Sequence, residues 1–200
     1  MKKLKYGFFG EDEAHRIFLK NYLDQLVPFM GKSADITFVF DQEFARQFRG
    51  NDKAEVDARF AEAALKGFVK YKQNAFFIGR DLDTFQSEVL KSKVEAMKAA
   101  LHPDFQEKTF LLIPVQCIEH WLWYLKFKKE NPNSTKNENL DTKPNTEAKL
   151  ALYGSARATN KHSNPIVENL SSLIDFEYLE SRSESFRLFH KQVMSFIGKI

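Results

Sequence analysis

The order of apolar runs predicts an α/β fold, with a mostly parallel sheet of four or five strands flanked by helices and a helical C-terminal extension. Three observations lead there. Four short apolar runs, at 4–9, 36–40, 74–79 and 109–115, alternate with longer segments whose apolar residues recur at helical spacing. The runs are almost continuously apolar, as strands covered on both faces are. The 200-residue chain is 43% hydrophobic and carries 20 phenylalanines, enough for a core built largely on rings.

Taken in order, Leu4 to Phe9 reads as the first strand, broken by Gly10. A helix from about Asp12 to Val27 follows, with Ala14, Ile17, Phe18, Tyr22, Leu23 and Leu26 on one face and Pro28 and Gly31 as the stop. Ile36 to Phe40 is β-branched and aromatic, a second strand. Phe44 to Gly50 reads as irregular or a short helical turn, and Asp52 begins a helix to about Lys72. Asn74 to Gly79 is the third strand. Thr84 is placed to cap a helix over Phe85–Leu101, ended by His102-Pro103. Thr109 to Val115 is the fourth strand, with Pro114 marking its end or an edge position. Cys117 to Lys128 reads as an aromatic helix.

Residues 128–148 hold five asparagines, two prolines and mixed charge, and read as a long polar loop. The expected organisation is therefore an α/β core at 1–128, a flexible polar loop at 129–148, and a helical extension at 149–200 that packs on the core. That extension is expected to hold helices near Lys149–Tyr153, Pro165–Ile174 and Tyr178–Ile197.

A net charge of +3, from 30 basic and 27 acidic residues, excludes a strongly basic nucleic-acid coat and decides little else. One cysteine cannot form an intramolecular disulfide, which suits a reducing compartment. No run approaches the roughly 18 apolar residues of a membrane span, and acids interrupt the N-terminal segment early. The expectation is a cytoplasmic protein with no membrane partner.

In an open parallel sheet, ligands bind outside the carboxyl ends of the strands. Here Glu11, Asp12 and Glu13 follow the first run, Asp81 and Asp83 the third, and Glu119 the fourth. Mg²⁺ and Mn²⁺ take oxygen ligands from a few such carboxylates, and a cation held there orients a phosphodiester and activates water. Asp-x-Asp in extended backbone points both carboxylates the same way. Acids at helix N-termini also stabilise the helix dipole without any metal, which accounts equally well for Asp12, Glu13 and Glu119. Trp121, Trp123, Tyr124 and Phe127 read as packing residues. The five scattered histidines show no zinc spacing, and Cys117 has no evident triad partner. Acids after the first and third strands also suit phospho-aspartate signalling, which the long loop and helical tail fit poorly.

The ordered motifs FGEDEAHRIFL (9–19), GRDLD (79–83), CIEHWLWYLKF (117–127), KHSNPIVENLSSL (161–173) and SESFRLF (183–189) cover nearly the whole chain. A strand ending in Gly-x-x-Glu followed by one ending in Asp-x-Asp resembles the Toprim fold of topoisomerases, primases and OLD-type nucleases, a Rossmann-like sheet. The set as a whole is similar to the RloB-like group of abortive-infection proteins. Gly10 and Glu13 match that group's start motif, with Asp12 where threonine is usual. Asp81 and Asp83 match its acidic pair, Glu119 and Trp121 its aromatic helix, and Asn164 and Pro165 its late motif, with Lys149 aligned loosely ahead of them. One position departs: Phe9 stands where the group carries a strand-end glutamate, and Glu11, two residues on, is the substitute within reach.

The resemblance implies an Mg²⁺- or Mn²⁺-dependent nuclease acting in bacterial anti-phage defence. Asp81, Asp83, Glu11 and Glu13 would hold metal and Glu119 would bind or position. Lys149, Arg157, Lys161 and His162 would meet the phosphates of DNA or RNA, or else form a solvated basic stretch. Phe9 implies the alternative of a catalytically degenerate subunit that binds nucleic acid or a partner ATPase without cutting, since the chain has no phosphate-binding loop of its own. An oligomer is compatible with both.

Overall fold

The computed structural model describes residues 1–136 and 138–200. Four strands form one all-parallel sheet in the order β2-β1-β3-β4: β1 (Lys2–Gly10), β2 (Ile36–Phe40), β3 (Ala75–Gly79) and β4 (Thr109–Leu112). The helices between them are α1 (Glu13–Phe29), α2 (Gln42–Gln47), α3 (Lys53–Val69) and α4 (Ser87–Ala100). After β4 come α5 (Ile118–Glu130), α6 (Asn145–Tyr153), α7 (Asn160–Ser171), α8 (Phe176–Arg182) and α9 (Glu184–Gly198).

β3 and β4 are buried on both faces, β2 is a partly exposed edge, and side-chain alternation sorts the sheet residues between two apolar clusters. Leu4, Tyr6, Phe8, Phe77, Phe110 and Leu112 join one cluster with α1, α5 and the C-terminal helices. Phe9, Phe76, Ile78 and Leu111 join the other, against Phe44 of α2, Val56 and Phe60 of α3, and Leu90 of α4. Rings carry much of the packing. Phe77 and Phe110 lie 5.0 Å apart across neighbouring strands, and Phe44 meets Phe76 edge-on at 5.4 Å. The register pairs Gly10 with Gly79 at the carboxyl edge. A Cβ at either position would collide with the Phe8 ring, so both glycines let the strands close over it.

The C-terminal helices complete the first face instead of standing apart. Val167, Phe176, Phe186, Phe189, Val193 and Ile197 belong to the same cluster as Phe8 and Phe77. Polar ties reinforce this: Asn21 Nδ2 donates to Ser171 Oγ at 2.8 Å, and Ile174 N donates to Gln25 Oε1 at 2.7 Å. The late Ser-Phe motif also finds its place, because Ser185 Oγ accepts from both Trp121 Nε1 (3.0 Å) and Val115 N (3.2 Å). Trp121 is fully buried and packs edge-on against Phe186.

Several boundaries differ from the sequence expectation. The fourth strand stops at Leu112, ahead of Pro114. Thr84 does not cap α4, which begins at Ser87 after Gln86, so the Asp-x-Asp loop is longer than expected. The segment read as a loop at 129–148 is shortened from both sides. α5 runs to Glu130, α6 starts at Asn145, and a 3₁₀ turn at Leu140–Thr142 buries Leu140 under Tyr124, whose Oη accepts from Leu140 N at 2.8 Å. The last expected helix is two, divided at Ser183, which caps α9. Among the described residues no helix is long and apolar enough to cross a membrane.

Candidate metal centre

The site forms where β1, β3 and β4 leave the sheet. β3 and β4 stay hydrogen-bonded beyond their last ladder pair: Arg80 N donates to Leu112 O (3.1 Å), Leu82 N to Pro114 O (3.0 Å) and Asp83 N to Gln116 O (2.9 Å). On the other side, Glu11 N donates to Gly79 O at 3.1 Å and Asp81 N donates to Glu11 Oε1. Glu11 and Asp81 are thereby fixed side by side. α5 then starts directly above Asp81. Its N-cap residue, Cys117, makes no side-chain cap, and Asp81 Oδ1 accepts from Ile118 N at 3.0 Å in its place. A carboxylate suits the positive end of a helix.

α1 supplies the next layer. Asp12 caps it by accepting from His15 N at 3.0 Å, and one turn in, the fully buried His15 ring lies between two acids. Its Nδ1 is 2.7 Å from Asp12 Oδ1 and its Nε2 is 3.1 Å from Asp81 Oδ1. Burial opposes a charge on His15, but the two carboxylates outweigh it and raise its pKa well above the ordinary value. Burial would lift Asp12 too, yet the charge and hydrogen bonds of His15 hold it down at about 2. Burial raises Asp81 and Glu11 against the attraction of the same imidazolium. His15 escaped the sequence reading. The signal was its place three residues after Asp12, on the same side of the helix.

Glu119, in the first turn of α5, is 6% exposed. Lys149 Nζ stands 3.9 Å from its Oε1, while its Oε2 is buried with no hydrogen-bond partner. Burial opposes the charge on Lys149, but Glu119 and the acids beyond it raise its pKa nonetheless. Beside Glu119 the Cys117 thiol is fully buried, and burial followed by the Glu119 charge pushes its pKa up.

Two donor groups result, each with its ligand atoms within 4.8 Å of one another: Glu11, His15 and Asp81, and Asp81, Cys117 and Glu119. Asp81 belongs to both. No protein-family model, curated protein or solved structure matches this chain. The donors themselves are what can be read. Three carboxylates, an imidazole and a thiol converge at one strand edge, and among the described residues Glu119 Oε2 is buried without a hydrogen bond while His15 Nε2 has its ion-pair contact with Asp81. Such a set can hold a metal ion.

Of the residues singled out from sequence, Glu11, Asp81 and Glu119 come together here. Glu13 and Asp83 do not. Glu13 is bound by Arg16, whose Nε lies 3.0 Å from it. Asp83 pairs with Lys53 and accepts from Asn145 Nδ2 at 3.3 Å. The expectation for Asp-x-Asp assumed extended backbone, but Asp83 adopts φ +60, a left-handed conformation that aspartate tolerates and that turns its side chain away from Asp81. Phe9 is fully buried in the cluster of α2 and α3, so the strand-end position carries no ligand.

Two cavities flank the carboxylates. One, of about 200 Å³, is lined by Glu119, Lys149, Tyr153, Arg157 and the start of α7. The other, of about 790 Å³, runs past Glu11, Glu13, Arg16 and Arg49. Both touch Asp12, Asn160 and Asn164, where they meet. Asn164, from the late Asn-Pro motif, thus reaches the site. Lys149 and Arg157 face it too, whereas His162 Nε2 donates to Tyr153 O at 2.9 Å and Lys161 stands exposed on the first turn of α7.

Proposed function

We propose that the chain is a metal-dependent phosphodiester hydrolase of Toprim type, a cytoplasmic nuclease acting on DNA or RNA in bacterial defence. The observation that carries this reading is the convergence of Glu11, Asp81 and Glu119, delivered by three neighbouring strand exits, around two donor groups that share Asp81. A bound divalent cation would supply charge neutralisation and an activated water at the phosphodiester. The protein's own residues do the rest. His15 holds Asp81 in place by one ring nitrogen and is itself held by Asp12 through the other. Lys149 and Arg157 offer positive charge beside the carboxylates for the phosphate backbone, and the larger cavity gives the strand a path past Arg16 and Arg49.

A second reading keeps the binding and drops the chemistry. Phe9 in the strand-end position, together with the capture of Asp83 by Lys53, favours a degenerate subunit that holds nucleic acid or a partner ATPase. Incubation of the chain with single-stranded DNA, duplex DNA and RNA in Mg²⁺, Mn²⁺ or chelator separates the two. The nuclease reading expects cleavage in metal, none in chelator, and none by Asp81→Asn. Salt-sensitive binding without cleavage in any metal selects the degenerate subunit, and cleavage surviving in Asp81→Asn rejects the metal centre.

A further inference from the structure

The two donor groups differ in chemistry. Glu11, His15 and Asp81 offer two oxygens and a nitrogen, and the His15 ring is engaged at Nδ1 by Asp12 and at Nε2 by Asp81. Asp81, Cys117 and Glu119 offer two oxygens and a sulfur. Mg²⁺ demands a near-octahedral shell of oxygens and keeps much of its water, whereas a thiolate selects zinc-like ions.

We propose that Asp81, Cys117 and Glu119 form a site for a thiophilic divalent cation of the zinc class, with the Cys117 thiolate as one ligand. This rests on the reading of this edge as a metal site and names the ion for one half of it.

Two observations beyond the cluster itself support the assignment. Glu119 Oε2 is buried and makes no hydrogen bond of good geometry, although the Tyr153 hydroxyl and the Cys117 thiol lie beside Glu119 and Lys149 Nζ is 3.9 Å from Oε1. Leaving a buried acceptor unsatisfied is costly, and a cation between Asp81, Cys117 and Glu119 removes that cost. The donors are also held in place by one short stretch of chain. Cys117 and Glu119 bracket the first residue of α5, and that residue's N–H fixes Asp81 at 3.0 Å. Behind Cys117, His120 Nδ1 lies 3.3 Å from both Sγ and Cys117 O while Nε2 lies 2.9 Å from Lys143 O, so the ring is held against the thiol. The proton of the thiol is released to solvent when the cation binds. The cavity of about 200 Å³ that Glu119 lines gives an ion a way in.

Cobalt(II) is the probe. The metal-freed full chain is titrated with cobalt chloride and followed by absorption. Because Cys117 is the one cysteine in the sequence, a sulfur-to-cobalt charge-transfer band reports this residue alone. The expected result is a band saturating at one cobalt per chain, bleached by equimolar zinc and unaffected by about a hundredfold excess of Mg²⁺. Cys117→Ser should abolish the band with the circular dichroism unchanged. Should that variant not fold, Glu119→Gln provides the test, with cobalt affinity expected to fall by at least about tenfold. Absence of the band, displacement by Mg²⁺ at parity, or full affinity in Glu119→Gln would each overturn the site. Cobalt bound with no nucleic acid cut rejects the nuclease reading alone. Mg²⁺-dependent cutting without a charge-transfer band rejects this site alone.

Discussion

Arg80 and Asp81 are neighbours in sequence, yet their side chains enter opposite kinds of surroundings. Arg80 is 6% exposed and lies against Asp57, with Nε 3.0 Å from Oδ1 and Nη2 3.1 Å from Oδ2, and Lys93 approaches the same carboxylate at 2.9 Å. Two cations meet one carboxylate there, and Arg80 Nε and Asp57 Oδ1 are held by their ion pair without a further hydrogen bond. At Asp81 the balance is reversed: Asp12 and Asp81 share the His15 ring, Glu11 and Glu119 lie beside Asp81, and Lys149 stands near Glu119, so acids outnumber cations. A carboxylate between two cations is held by charge within the fold, and an excess of acids at one edge suits a cation from solution.

Removing either partner tests the difference. Asp57→Ala leaves the buried Arg80 guanidinium without its carboxylate and should lower stability by about 3 kcal/mol, read from urea denaturation, with divalent-cation affinity unchanged. Asp81→Asn should do the reverse. Its charge is costly to bury and His15 keeps Asp12, so stability should change by less than about 1 kcal/mol while cation affinity falls at least about tenfold by calorimetry. An equal loss of stability in both variants would erase the comparison.

Asp141 gives a smaller effect that depends on pH. Burial pushes its carboxyl up to about 7, against a hydrogen bond from Ser183 and with help from Glu184. Between the free value of about 4 and that folded value, the folded chain holds a proton that the unfolded chain lacks. Stability should therefore fall as pH rises through this window. Asp141→Asn should flatten that dependence and raise Tm at pH 8 by a few degrees, about 2–4 °C per kcal/mol for a chain of this size. The smallest change is expected for Asp83→Asn. It weakens one exposed pair with Lys53, worth about 0.2–1 kcal/mol, and should leave cation affinity within about twofold.

Much of the fold was legible because burial on both faces writes itself as runs such as AFFIG, and the β-branched and aromatic edge strand β2 fell on the expected residues. The helices of the tail were legible as helices that pack on the core, but their individual contacts were not, since those partners lie far off in sequence, as Tyr22 with His190 and Asn21 with Ser171 do. The carboxyl edge was half legible. Strand exits placed Glu11, Asp81 and Glu119 at one edge, because their positions follow from the ladder. Asp83 misled because one left-handed residue undoes the alternation on which the pairing rule depends. Cys117 was hidden because a lone residue carries no spacing, His15 was marked by its place three residues after Asp12 alone, and only the fold sets both beside Asp81. The near-neutral charge of the whole chain likewise concealed the sorting of its charge into a cation-rich cluster around Asp57 and an acid-rich one around Asp81.

The most direct test of that sorting is divalent-cation binding to the wild type, Asp81→Asn and Asp83→Asn, measured side by side by equilibrium dialysis. Wild type and Asp83→Asn are expected to bind alike, and Asp81→Asn at least about tenfold more weakly. No binding by the wild type, or equal losses in the two variants, would contradict the placement of a metal centre on Asp81.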